Sequence, residues 1–179
     1  MRKLILILLC LFTANALFAQ AVKNTSYKTS SGERVLQLEV VLDTDMASAW
    51  KLLSTDEGLV KWVAPVAHIE LKKNGVIVTN YDKTKPLTDS SSIRLPILAY
   101  TKGKMITLKV ELNNNFTKSV RNSDDNLKEV ITLVKIDAGH TKLISAMSGF
   151  GAGADWDKTY EFFVRGNTYT YEELLKHYK

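Results

Sequence analysis

Cysteine is almost absent from this sequence: its 179 residues contain one, Cys10, inside an apolar run near the start. A mature chain that has lost that run has no disulfide framework and no thiol chemistry, and its core alone must hold it. Histidine is scarce too. No two of His68, His140 and His177 stand at metal-ligand spacing, and with no cysteine beside them a zinc site is not expected. His68 alternates out of phase with Ala67, Ile69 and Leu71, which turns it to solvent, and no carboxylate stands at a readable spacing to orient any of the three. Ser145 has no Gly-x-Ser-x-Gly context. Gly149, Gly151 and Gly153 precede a helix, but Asp155 and Asp157 would repel a phosphate there, and the Lys-Ser/Thr ending of a phosphate loop is missing. No catalytic residue, metal or cofactor is therefore assigned. The formal net charge is +5, yet the lysines are scattered and never interleave with aromatics, so nucleic-acid binding is not expected. Internal repeats are absent, and low complexity is confined to Ser90–Ser92 and Asn113–Asn115.

What is present begins with a leader. Met1-Arg2-Lys3 is basic, Leu4 to Phe12 is unbroken apolar chain, and Ala14, Ala16 and Ala19 follow, the order of a secretory signal peptide. The apolar run falls short of the ~20 residues that cross a bilayer, so no membrane span is expected after processing. Cleavage is expected after Ala19, leaving Gln20 first, or after Ala21. Cys10 is not preceded by the small residues of a lipoprotein box. The protein is thus expected to be exported, periplasmic or secreted. Its expected organisation is a leader over residues 1–19, a loose polar arm over 20–33 and one domain over 34–179, a size that buries roughly two thirds of its unfolded surface.

Within that domain the period is first two, then helical, then two again. Leu36, Leu38, Val40 and Leu42 share one face of a strand. Thr44 or Asp45 caps a short helix through Leu53, and Ser54 with Glu57 forms a capping box that opens a second helix, to Trp62, before Pro65. Strands follow over 67–71 and 76–81, joined at Asn74-Gly75, then over 93–100, 105–112, 127–136 and 141–147. The polar stretch 113–126 is a long loop, either a flap or a disordered insertion.

The chain ends in its longest element. A flexible glycine hinge at Gly149–Gly153 delivers a helix from Asp155, the expected N-cap, to Tyr178. Trp156, Tyr160, Phe163, Asn167, Tyr171, Leu174 and Tyr178 fall three and four apart, one stripe that must lie on an apolar surface. Gly166, Asn167, Thr168 and Thr170 are poor helix formers and are expected to bend or loosen it. Three tyrosines and an asparagine in such a stripe need hydrogen-bond partners, as they would find in the wall of a cavity. Sheet and helix burying their apolar faces against each other make a two-layer α+β domain.

The segments "MASAWKLLSTDEGLVKWVAP", "IELKKNGVIVTNYD" and "HTKLISAMSGFGAGADWDKTYEFFVRGN" together resemble the START-like, helix-grip (SRPBCC) superfamily. More closely they resemble the bacterial relatives of the C-terminal domain of the activator of the heat-shock-protein-90 ATPase. The resemblance implies a curved antiparallel sheet of about seven strands, two short helices after the first, and a long C-terminal helix over the concave face. It also implies a cavity that in relatives takes lipids, sterols, polyketides or plant hormones, and it transfers no catalytic residue.

Strand parity and the helical stripe nominate Tyr81, Ser145, Met147, Tyr160, Phe163, Asn167 and Tyr171 as ligand-binding residues. The reading that follows is an exported binding protein, a monomer or weak dimer, holding a small apolar or amphipathic molecule. Two alternatives are a co-chaperone-like interaction module with a filled core, and a cyclase- or hydrolase-type enzyme using the same cavity. The binding protein is favoured over the enzyme.

Overall fold

The computed structural model describes residues 21–178. The leader and the expected cleavage site after Ala19 lie outside the described residues. Nine antiparallel strands form one sheet, and helices cover one of its faces. In chain order these are β1 (Lys23–Asn24), β2 (Tyr27–Lys28), β3 (Arg34–Leu42), α1 (Met46–Ser54), α2 (Asp56–Leu59), β4 (Val66–Ile69), β5 (Val76–Asn80), β6 (Ile93–Thr101) and β7 (Met105–Lys109). Then come α3 (Lys118–Arg121), β8 (Lys128–Lys135), β9 (Thr141–Ser148) and α4 (Ala154–Leu175), with a last 3-10 turn over Lys176–Tyr178. The strand order is β1-β3-β9-β8-β7-β6-β5-β4, with β2 also paired to β3.

The α+β class, the two short helices and the long terminal helix are as the sequence indicates, and β3 to β9 are the seven expected strands. The two additional strands come from the segment expected to be a loose arm. Lys23 and Asn24 pair with Glu39 and Leu38, Tyr27 and Lys28 pair with Val35 and Arg34, and the amide of Thr25 donates to the Gln37 carbonyl at 2.9 Å. Strands of two residues carry no alternation, and main-chain bonds of this kind leave no pattern in side chains.

Alternation buries the inner face of β3, where Leu36, Leu38, Val40 and Leu42 are all at most 2% exposed. Asp45 caps α1, its carboxylate accepting from the amides of Ala47 at 2.8 Å and Ser48 at 3.0 Å. The cap of α2 is Thr55 rather than Ser54: its hydroxyl accepts from the Gly58 amide at 3.0 Å, and the helix ends at Leu59 rather than Trp62. Ala49, Trp50, Leu52, Leu53 and Leu59 put the two helices into the core.

The N-cap of the terminal helix lies two residues earlier than expected. Gly153 occupies the N-cap position without a side-chain bond. Asp155, freed from capping, instead accepts hydrogen bonds from the hydroxyls of Thr117, at 3.1 Å, and Ser119. These bonds pin α3, and with it the segment expected to be a flap or an insertion, against the first turn of α4. The glycine stretch before the helix is packed rather than a loose hinge. The Gly149 amide donates to Glu33 at 3.0 Å, the Gly151 carbonyl accepts from Arg34 at 3.0 Å, and Phe150 is buried against Trp156 and Tyr160. The helix also runs unbroken through Gly166, over 22 residues and about 33 Å. No helix among the described residues is long and apolar enough to cross a membrane.

Candidate functional site

Between the sheet and α4 lies a cavity of about 300 Å³. Inward positions of β5 to β8 form its floor: Ile77, Thr79, Leu95, Ile106, Leu108 and Ile131. Leu53, Leu59 and Trp62 close one side. Phe163, Gly166, Asn167 and Tyr171 make the roof, and Phe116 from the 113–126 segment stacks on Phe163 with ring centroids 5.7 Å apart. The exposed members of the lining, Tyr81, Glu111, Asn115 and Phe162, mark its rim. A Cβ built on Gly166 would meet nothing within 4 Å, as expected of a helical position that opens on empty space.

One carboxyl lies deep in this apolar space. Glu129, on β8 opposite Leu108 and Met147, shares the inward face with Ile131 and Leu133. Its Oε1 accepts from the Ser145 hydroxyl at 2.5 Å and from the Tyr171 hydroxyl at 3.2 Å. Ser145 and Tyr171 are themselves 2% and 3% exposed. Tyr171 is fixed by Trp62, whose ring stacks on it at 5.5 Å and whose indole N–H donates to the Leu52 carbonyl at 3.1 Å. Burial pushes the Glu129 carboxyl above its ordinary range, with the two hydroxyl donors opposing that shift. Burial, and next to it the charge of Glu129, pushes the Tyr171 phenol well above its own ordinary value.

The second oxygen, Oε2, makes no hydrogen bond among the described residues. Among the described residues, no buried side-chain nitrogen or oxygen is both sealed off and unpartnered. Oε2 therefore keeps some exposure, and Glu129 is one of the residues that line the cavity. Such a carboxyl can accept or donate a hydrogen bond to a bound molecule, or face a bound cation.

No protein-family model matches the sequence, and no curated protein matches it. Solved structures do match the fold. The protein MLL2253 from Mesorhizobium loti is 16% identical with a TM-score of 0.62, over 80% of this chain and 95% of that one. The structure of the Aha1 dimer from Colwellia psychrerythraea is 14% identical at a TM-score of 0.59, over 80% and 92% of the two chains. PFC0360w, an HSP90 activator from Plasmodium falciparum, is 13% identical at 0.56, over 81% and 97%.

The chain has the START-like, helix-grip fold.

In this helix-grip frame, four of the seven nominated residues line the cavity: Tyr81 at the rim, and Phe163, Asn167 and Tyr171 on α4. The other three do not. Ser145 does not line the cavity and reaches it through its bond to Glu129. Met147, 1% exposed, belongs to the core beneath β3, paired with Leu36. Tyr160 lies one turn too early on the helix, against Phe150 at 5.0 Å and under the Arg34 guanidinium at 5.0 Å.

The sequence reading missed Glu129, although the signal was present. Leu127, Glu129, Ile131 and Leu133 alternate on one face, so a carboxylate in that phase stands on the buried side. The histidines also differ from expectation, since carboxylates do lie beside two of them: Asp56 is 2.8 Å from His68, and Asp137 is 2.8 Å from His140. Asp56 is twelve residues from His68 in sequence, a spacing that only folding closes. Both pairs lie on the surface, outside the cavity lining. Among the described residues, no group of three or more metal-ligating side chains comes together.

Proposed function

We propose that this chain is an exported protein that holds a small apolar or amphipathic molecule between its sheet and its terminal helix. The observation that carries the reading is the cavity: about 300 Å³, largely apolar, and lined at depth by a single carboxyl, one of whose oxygens is left without a hydrogen bond. Preformed apolar space with a few fixed polar groups is the usual make-up of a small-molecule site. A packed core would leave no such volume, because protein interiors are close to crystal density.

Export rests on the order of charges and apolar residues in 1–19. Intact-mass analysis of secreted protein tests it: a species beginning at Gln20 or Val22 supports export, and a full-length Met1 species in the membrane fraction overturns it. The binding reading is tested by native mass spectrometry of protein purified from its own host, together with uptake of an environment-sensitive apolar dye. A retained small molecule or saturable dye fluorescence supports it. Protein that carries nothing and takes up no dye overturns it in favour of an interaction module, the role suggested by the HSP90 activator among the structural neighbours. A monomer or weak dimer is proposed, and sedimentation equilibrium decides between them.

A further inference from the structure

We propose that the molecule the cavity selects is an amine, an apolar body carrying one ammonium group held against Oε2 of Glu129. This rests on the binding reading above and adds the chemistry of the head group. The lining is one-sided in charge. It contains two carboxylic acids, Glu111 at the rim and Glu129 at depth, and none of the described residues that line it is a lysine, arginine or histidine. A fatty acid or a phosphate ester would enter a space with no countercharge and would meet a like charge at its end. A buried ion without a partner costs several kcal/mol, so such ligands are disfavoured.

Glu129 is furnished as an anion's site is. Two hydroxyls donate to the same oxygen, Ser145 at 2.5 Å and Tyr171 at 3.2 Å, and both are fixed by burial before any ligand arrives. Such donors stabilise a carboxylate, but the apolar surroundings oppose its charge. What is missing is a cation on the free oxygen. An ammonium supplies it and brings three donors. One is taken by Oε2, and Thr79 and Asn167 line the same space with oxygens that can accept others. Ile77, Leu95, Ile106, Leu108 and Ile131 receive the apolar body. The volume is at the small end of the range for ligand sites, which suits one chain or ring system rather than a diacyl lipid.

The test is displacement of the apolar dye by decylamine, decanol and decanoate at neutral pH, three probes that share a chain and differ only at the head. Decylamine is expected to displace the dye at a concentration about tenfold below decanol, as a charge-assisted bond requires, and decanoate is expected to be the weakest. In Glu129→Gln, with each probe referred to the dye affinity measured on that same variant, the gap between decylamine and decanol should close to within about threefold. Decanoate matching decylamine on the parent, or an amine preference that survives in Glu129→Gln, overturns the inference while leaving the binding reading in place. If the parent takes up neither the dye nor any probe, both fall together. Should the Gln variant fail to fold, the ranking of the three probes on the parent decides alone.

Discussion

At Glu129 the stability of the fold and the proposed binding pull in opposite directions. A carboxyl among Leu108, Ile131 and Tyr171 is worth less to stability than an apolar side chain of its size once it ionises, because the charge must leave water. Its folded pKa lies above its unfolded value, so the stability tied to its neutral form is fully present below the ordinary glutamate range, near pH 4.3, and is lost as pH rises through the folded value. Glu129→Gln, which cannot ionise, should therefore gain on the parent as pH rises. The gain should approach about 1.4 kcal/mol for each unit by which folding raises the carboxyl, and urea unfolding of both proteins from pH 4 to pH 8 measures it. A difference that stays flat with pH would mean that the carboxyl titrates normally. The residue was legible as an inward position on β8 but not as a site. Its hydroxyl partners come from β9 and α4, 16 and 42 residues away, and no local pattern announces them. Asn167 and Phe163 were legible because helical periodicity points both to the sheet. Tyr160 shares that stripe but packs on Phe150, in the turn before the helix, instead of over the cavity.

Among the elements, α4 and the turn that feeds it answer substitution in opposite ways. Gly149 has φ +89°, and a Cβ there would come within 2.0 Å of the Asn126 carbonyl oxygen. Gly149→Ala combines a left-handed alanine with overpacking against main chain, and a loss of at least about 2 kcal/mol in unfolding free energy is expected. Gly166 is the reverse case, a helical glycine facing empty space. Gly166→Ala should raise stability by about 0.5–1 kcal/mol through helix propensity, and thermal unfolding reads it directly. A loss there would mean that the roof of the cavity is already filled. The sequence flagged Gly166 and its neighbours as a place where the helix loosens. The helix holds because packing by Trp156, Tyr171 and Leu174, at most 5% exposed, outweighs weak local preference. Segment 113–126 was legible only as polar. Its place against α4 depends on Phe116 and on Asp155 acting as an acceptor rather than a cap, contacts that bridge 36 to 47 residues of chain.

For the whole molecule, a ligand that occupies the cavity acts on the folded state alone. At a hundred times its dissociation constant it should add about 2.7 kcal/mol, which for a domain of this size raises the melting temperature by roughly 5–10 °C. Scanning calorimetry with decylamine in excess measures this, and an unchanged transition in its presence would show that nothing enters. The wiring of the sheet has a further consequence. The strand that opens the domain, β3, is bonded to the strand that closes it, β9, from Leu36 with Met147 to Leu42 with Thr141. Nearly the whole domain is a loop hung between those two strands, and closing a loop of that length must precede any reward from the pairing. A ribosome-bound fragment lacking β9 therefore leaves one edge of β3 open, with only the two-residue strands β1 and β2 on the other, and has no roof over the future cavity. Such a chain is expected to lack a stable fold, and so to remain threadable through a narrow channel, until its last third has been made.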